Sequence, residues 1–288
     1  MLSIETILCP IDFSAATRQE LELALELAER FAARLVLHHN IPTMPLGLAR
    51  GWEWKEYHQE KSELTSEVTM GLERLLAEIP AEIPHEARIT SGPLMATLDA
   101  IVSAFRVDLV VVGSHGWSTP DHASVSERLI ERCPCPVLAS QEQSPAVRRF
   151  RVTPRNADDR VEVLVASDLT DSSSGALHYA FDLARRFPVH LELLHVGSEA
   201  LTDRAEAQHD LEALVPEDLR GRVAAHVELG RPVDEILAAI ERSEPSFLVM
   251  GEHARGFFRN VFTVDTARHI LHRAQVPVWF VPADYRSA

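Results

Sequence analysis

The sequence predicts an α/β protein of two tandem doubly wound domains, each built on a five-stranded parallel sheet. Two observations carry this. Short apolar runs alternate with helical patterns along the chain, the order that lays helices over a parallel sheet. The whole series then occurs a second time. Ile7-Leu-Cys-Pro-Ile-Asp12-Phe-Ser14 returns as Val163-Leu-Val-Ala-Ser-Asp168-Leu-Thr170, and Leu25–Phe31 returns as Phe181–Phe187, both 156 residues on. Gly92 matches Gly230, and Leu109-Val-Val-Val-Gly113-Ser-His115 matches Phe247-Leu-Val-Met-Gly251-Glu-His253, both at an offset of 138. Cys135-Pro136-Val137 matches Val276-Pro277-Val278 at 141. The first repeat therefore holds 18 extra residues between its second and third strands, within Ile41–Pro80, and has lost three after Gly116.

In the first repeat the strands are expected near Thr6–Ile11, Arg34–His39, Glu86–Thr90, Leu109–Val112 and Val137–Ala139. An unbroken apolar run such as Leu109–Val112 fits a strand covered on both faces. The first helix follows Ser14. Thr17-Arg-Gln-Glu20 has the form of a capping box, and Leu21, Leu25, Ala28 and Ala32 recur at helical spacing. The third helix, roughly Pro93–Phe105, opens on a proline suited to a first turn. The fourth, about Ser124–Arg132, stops before Pro134. The extra stretch includes Met44, Trp52, Trp54 and Tyr57, then a helical run with Leu64, Val68, Leu72 and Leu75. It either packs on its own domain or forms an apolar arm over a pocket or partner.

The domains are placed at 1–140 and 161–288, joined by a linker at 141–160. The linker carries Arg148, Arg149, Arg151, Arg155 and Arg160 with Pro145 and Pro154. It reads as a solvated connection, with binding of an anionic partner as the alternative.

At 288 residues the chain has room for two domains, and composition narrows the function. Its 28 Lys and Arg face 43 Asp and Glu, a net charge of −15, which argues against nucleic-acid or anionic-membrane binding. The 46% of hydrophobic and 25% of charged residues suit a soluble globular protein. Three cysteines make no disulfide framework. The N-terminus has Glu5 and Asp12 and no basic stretch, so it does not read as a signal peptide, and no apolar run approaches the ~20 residues of a membrane span. A cytoplasmic location is expected.

A doubly wound sheet binds ligands beyond the carboxyl ends of its strands, where strand order reverses. With strand order 3-2-1-4-5 that point would unite Asp12 with Gly113-Ser-His-Gly116, and Asp168 with Gly251-Glu-His-Ala254.

The pattern ILCPIDFS…ALELAERFAARLVLHH…DLVVVGSHG…SVSERLIERCPCPV resembles the universal stress protein family, and VLVASDLT…AFDLARRFPVHLELLHV…FLVMGEHARG…TARHILHRAQVPV resembles it again. The likeness covers nearly the whole chain outside the linker and Pro42–Glu60. It implies a Rossmann-like fold, of the adenine nucleotide alpha hydrolase-like kind, and an adenine nucleotide such as ATP as the ligand class. The family's loop is G-x2-G-x9-G-[S/T]: glycines let backbone N–H groups reach phosphates, and a helix N-terminus stabilises their charge. An Asp closing the first strand accompanies the adenosine. Carried onto this chain, the candidate binding residues are Asp12, Gly113, His115, Gly116, Ser124 and Val125 in the first repeat, and Asp168, Val196, Gly251 and His253 in the second.

Both loops depart from the pattern. Only six residues, Trp117 to His122, separate Gly116 from Ala123, and Asn40 replaces the usual apolar residue after the second strand. The second repeat keeps the loop length but has Ala254 and Val264 at glycine positions and Asp265 at the Ser position. The expectation is a regulatory or binding module with degenerate ATP loops. The alternative is a nucleotide switch using mainly the first repeat, with slow ATP hydrolysis or autophosphorylation; a zinc or small-ligand carrier is a third reading. No nucleophile–base pair, paired-carboxylate motif or P-loop marks an enzyme, and no catalytic residue is assigned.

Cys133-Pro134-Cys135, with His115 and His122, lacks the spacing of a zinc knuckle, so no metal site is assigned and Cys135 reads as core. Cys9 reads as a small buried hydrophobe. His39 and His195 match at 156, which points to one structural role at a strand end. By the family likeness the last strands, Pro136–Ala139 and Pro277–Val281, join the repeats as a pseudo-dimer. Further partners are expected to be a second copy of the chain or protein clients the sequence does not identify.

Overall fold

The computed structural model describes residues 2–14, 17–41, 54–113, 125–140, 160–198, 204–251 and 264–285. The Pro42–Glu53 half of the apolar stretch, the Arg-rich linker up to Asp159, and His115, Gly116, Ser124 and His253 lie outside the described residues. The first repeat runs β1 (Thr6–Pro10), α1 (Thr17–Phe31), β2 (Arg34–Ile41), α2 (Trp54–Ala77), β3 (His85–Ser91), α3 (Leu94–Phe105), β4 (Leu109–Gly113), α4 (Val125–Arg132) and β5 (Val137–Ser140). The second runs β6 (Val161–Ser167), α5 (Asp171–Arg186), β7 (Val189–Gly197), α6 (Arg204–Ala213), β8 (Val223–Leu229), α7 (Pro232–Ser243), β9 (Phe247–Gly251), α8 (Val264–Arg273) and β10 (Val278–Val281).

Two compact units result: Ile4–Val111, and Val112–Ala288 together with the first three residues. In the first unit the strand order is β3-β2-β1-β4, all parallel. Ile7, Leu8, Leu35, Val36, Leu37, Leu109 and Val110 are fully buried, as expected of strands covered on both faces. The strand starts are tied by polar side chains. Asp108 accepts from the backbone N–H groups of Glu5 (2.8 Å) and Thr6 (2.9 Å), and Arg34 donates to Thr6 Oγ1 (2.9 Å) and the Phe105 carbonyl (2.7 Å).

Three expectations shift here. The buried stripe of α1 is Leu21, Ala24, Leu27, Ala28 and Phe31, while Ala32 leaves the helix in the left-handed region at φ 56°. The Thr17 hydroxyl donates to Asp12 Oδ1 (3.1 Å), so it serves the preceding turn. Pro93 stands just before α3, at its N-cap, rather than inside the first turn. Much of the 18-residue excess is helix: α2 has 24 residues where α6 has 10. Val68 and Leu72 of α2 are buried in its own unit, and Leu64 and Met70 are exposed.

In the second unit the strand order is β5-β10-β9-β6-β7-β8. Every pair from β10 to β8 is parallel. β5, which comes from the first repeat, pairs antiparallel with β10, so the last strands of the two repeats meet as the sequence led one to expect. Trp279 packs here against Tyr179 (ring centroids 5.2 Å apart) and Phe247 (5.5 Å), all three nearly solvent-free. At the other end, β8 is shielded by α6: Gln208 donates to the Ala225 carbonyl (2.8 Å) and Arg204 to the Val227 carbonyl.

The segment after β10 folds back onto α5 at Gly175. A Cβ there would stand 2.3 Å from the Pro282 carbonyl oxygen and 3.1 Å from that of Ala283, both backbone atoms. Ala is the better helix former by about 1 kcal/mol, but backbone cannot yield as a side-chain tip does. Gly175→Ala is therefore expected to destabilise the protein by about 1–3 kcal/mol in urea unfolding, and a gain in stability would contradict the close approach.

Candidate functional site

The two repeats build the same turn after their first strand. Asp12 Oδ1 accepts from the Ser14 backbone N–H (2.8 Å), and Asp168 Oδ1 from that of Thr170 (3.1 Å) and from its hydroxyl (2.6 Å). Such Asx turns stabilise a chain entering a helix. The residue after each Asp is left-handed, Phe13 at φ 58° and Leu169 at φ 59°. Bulky side chains rarely adopt this region, and strain of this kind gathers at functional sites. In both repeats an imidazole holds the strand end: His39 Nδ1 donates to the Ile11 carbonyl (2.7 Å) and His195 Nδ1 to that of Ser167 (2.9 Å). The shared role inferred from their spacing is thus a shared hydrogen bond.

In the second repeat β6, β7 and β9 are neighbours, and Asp168, Val196 and Gly251 stand together at their carboxyl ends. Asp168 and Val196 are buried. In the first repeat Asp12 belongs to the unit of residues 4–111 and Gly113 to the other. Beside Asp12, the half-exposed Phe13 ring lies 5.1 Å from that of His39. It also presses so closely on α2 that a Cβ at Gly71 would meet it at 2.8 Å.

Sequence reasoning missed a polar network at the end of β2. His38 Nε2 donates to Thr90 Oγ1 (2.7 Å), Thr90 donates to Asn40 Oδ1 (3.0 Å), and Thr97 donates to the same oxygen (3.1 Å). Asn40 Nδ2 donates to the Gly92 carbonyl (3.1 Å), fixing the turn into α3, where Gly92 sits at φ 145°. Asn40 thus does for this turn what the fully buried Val196, its equivalent, cannot do by hydrogen bonding. Burial, and secondarily the charge of His39, lowers the His38 pKa from 6.5 to about 4, so the ring stays neutral. Burial also raises the Cys9 thiol well above its ordinary value, with Glu20 and Asp12 adding to the effect. It is an inert core group.

In the family's pattern the helices after the loops, α4 and α8, receive the phosphates. α8 begins at Val264. α4 opens on Val125 and carries Glu127 in its first turn, while the Ser126 hydroxyl donates to the Gly113 carbonyl. By sequence both loops depart from the family's phosphate loop: the first repeat is three residues short after Gly116, and Val264 and Asp265 stand at the Gly and Ser positions of the second. Cys133 and Cys135 are buried with their sulfurs 3.3 Å apart, which places Cys135 in the core as expected. Among the described residues no three His, Cys, Asp or Glu side chains group as metal ligands, and no helix is long and apolar enough to cross a membrane.

The comparisons agree with this geometry. The model of the universal stress protein family matches residues 3–141 and again 162–282. A universal stress protein of Mycolicibacterium smegmatis is 27% identical over 201 residues, which span 64% of this chain and 64% of that relative. Among solved structures, a universal stress protein from Archaeoglobus fulgidus superposes with a TM-score of 0.72 at 24% identity, covering 97% of each chain. A functionally unknown protein from Pseudomonas aeruginosa PAO1 gives 0.56 at 17% identity, over 98% of this chain and 94% of its own. At these identities the structures speak for the fold, and the doubled family match speaks for the lineage: the chain belongs to the universal stress protein family, with two copies of its domain in tandem.

Proposed function

We propose that this chain is a cytoplasmic, non-catalytic regulatory module of the stress response, with repeats at 1–140 and 161–288 joined by a linker, in which neither repeat holds ATP by the family's phosphate loop. The observation that carries this is in the sequence: Val264 and Asp265 stand where the family's loop has Gly and Ser. A carboxylate a few ångströms from phosphate in a partly dry site costs on the order of a few kcal/mol. A micromolar affinity amounts to about 8 kcal/mol in all, so much of it would be lost. In the first repeat the loop is short, with only six residues, Trp117 to His122, between Gly116 and Ala123.

A second reading is favoured by the retention of Asp12, Gly113, Gly116 and Ser124 in the first repeat. There an adenine nucleotide with fewer phosphates than ATP would bind through an altered loop, with slow hydrolysis or autophosphorylation as its possible chemistry. Calorimetric titration of the full chain with ATP, ADP and AMP decides between the two, after the 260/280 nm absorbance ratio has shown that no nucleotide was carried through purification. The module reading expects no saturable heat at micromolar nucleotide. Saturable binding that disappears in Gly113→Val would refute it and establish the second reading.

A further inference from the structure

The antiparallel pairing of β5 with β10 has an internal symmetry. Under the 141-residue offset that relates the ends of the repeats, Leu138 is the equivalent of Trp279, and these two stand directly opposite each other. Val278 opposite Ala139 and Phe280 opposite Val137 complete the register. The arrangement is that of a two-fold dimer interface, in which each surface meets its own equivalent. The helices beside the strands obey the same rule. Glu127 of α4 is the equivalent of Arg268 of α8, and the two are in contact.

At this position the equivalents carry opposite charge. Arg268 grips Glu127 with two nitrogens, Nε to Oε1 at 3.1 Å and Nη2 to Oε2 at 3.2 Å. His272 Nε2 adds a third contact to Oε1 at 2.9 Å. The Glu127 side chain is 10% exposed and that of Arg268 44%, so the pair is part-buried and solvent and salt screen it in part. Between the helices lies a shallow apolar cleft lined by Glu127, Ile130, Glu131, Ala267, Arg268 and Leu271. Glu131 is the equivalent of His272.

If α4 met a second α4 in this geometry, Glu127 would face Glu127 and Glu131. If α8 met a second α8, Arg268 would face Arg268 and His272. Each like pairing brings like charges together at a part-buried position, which is unfavourable. Size follows charge, since Leu138 opposite Leu138 would leave a void and Trp279 opposite Trp279 would overfill the seam. We propose that Glu127, Arg268 and His272 form a pairing code. The face made by α4 and β5 fits the face made by α8 and β10, and is repelled by a copy of itself. The partner this surface selects is the unlike repeat, so it is not the surface through which two copies of the chain associate by like-to-like contact.

The test uses the full chain in four forms: wild type, Glu127→Arg, Arg268→Glu, and the charge-swapped double variant, each followed by thermal unfolding at low and high salt. Each single change is expected to lower the melting temperature by about 4 °C or more at low salt, and less at high salt. The double variant is expected to regain at least half of the summed loss. Singles without effect, or losses that simply add in the double variant, overturn the proposal. If a single variant fails to fold, recovery of a folded double variant supports the code. A double variant that stays unfolded while Glu127→Gln/Arg268→Gln folds overturns it.

Discussion

Trp279→Ala is expected to cost about 4 kcal/mol of unfolding free energy, the largest loss foreseen for any single side chain here. The indole is fully buried in β10, packed between Tyr179 of α5 and Phe247 of β9 on its own side and set opposite Leu138 of β5. Truncation removes the transfer energy of the ring and leaves a cavity between α5 and the sheet that its closely packed walls fill only in part. The loss should appear as a lower urea midpoint with the same transition slope. Trp279→Phe, which keeps an aromatic ring, should cost much less, about 1–2 kcal/mol. Equal losses for Ala and Phe would mean that the seam tolerates a void and that Trp279 does not organise it.

The second large effect is on pH dependence. His38 titrates at 6.5 in an unfolded chain and at about 4 in the folded protein, because burial resists its charged form. Above pH 6.5 both states are neutral at this residue and stability is unaffected. Between 6.5 and 4 the unfolded state binds the proton first, so stability falls as pH falls, by about 3 kcal/mol in all. Below 4 both states are protonated and the contribution is constant. In His38→Gln the amide keeps a donor for Thr90 but cannot titrate. Between pH 7.5 and 4.0 the wild type should therefore lose about 2–3 kcal/mol more than the variant, and NMR should find one imidazole titrating near pH 4. Parallel stability curves, or no such imidazole, would show that the ring reaches solvent when it charges.

The duplication and the strand series were legible in the residues, because a buried parallel strand such as Leu109–Val112 and a repeated Asp12/Asp168 are local signals. That His39 and His195 share a structural role followed from their spacing, while the carbonyls they hold did not. The left-handed Phe13 and Leu169 could not, since their side chains argue against the conformation they adopt. One signal was present: the Asp itself, whose carboxylate can accept from the backbone N–H two residues on, at Ser14 or Thr170. The network on Asn40 was hidden because its partners, Thr90 and Thr97, come from β3 and α3, some 50 residues away. The Glu127–Arg268 pair was hidden for a related reason. Its meaning depends on a two-fold relation that exists only once β5 has paired with β10.

The side chains that α6 lays along β8 have one further result. Carbonyl groups on an outermost strand ordinarily invite a foreign strand to dock and begin templated growth. Because Gln208 and Arg204 already occupy the acceptors of Ala225 and Val227, an incoming peptide finds two rungs of the ladder taken. This flank of the molecule is thereby a poorer template for strand addition than a bare outermost strand.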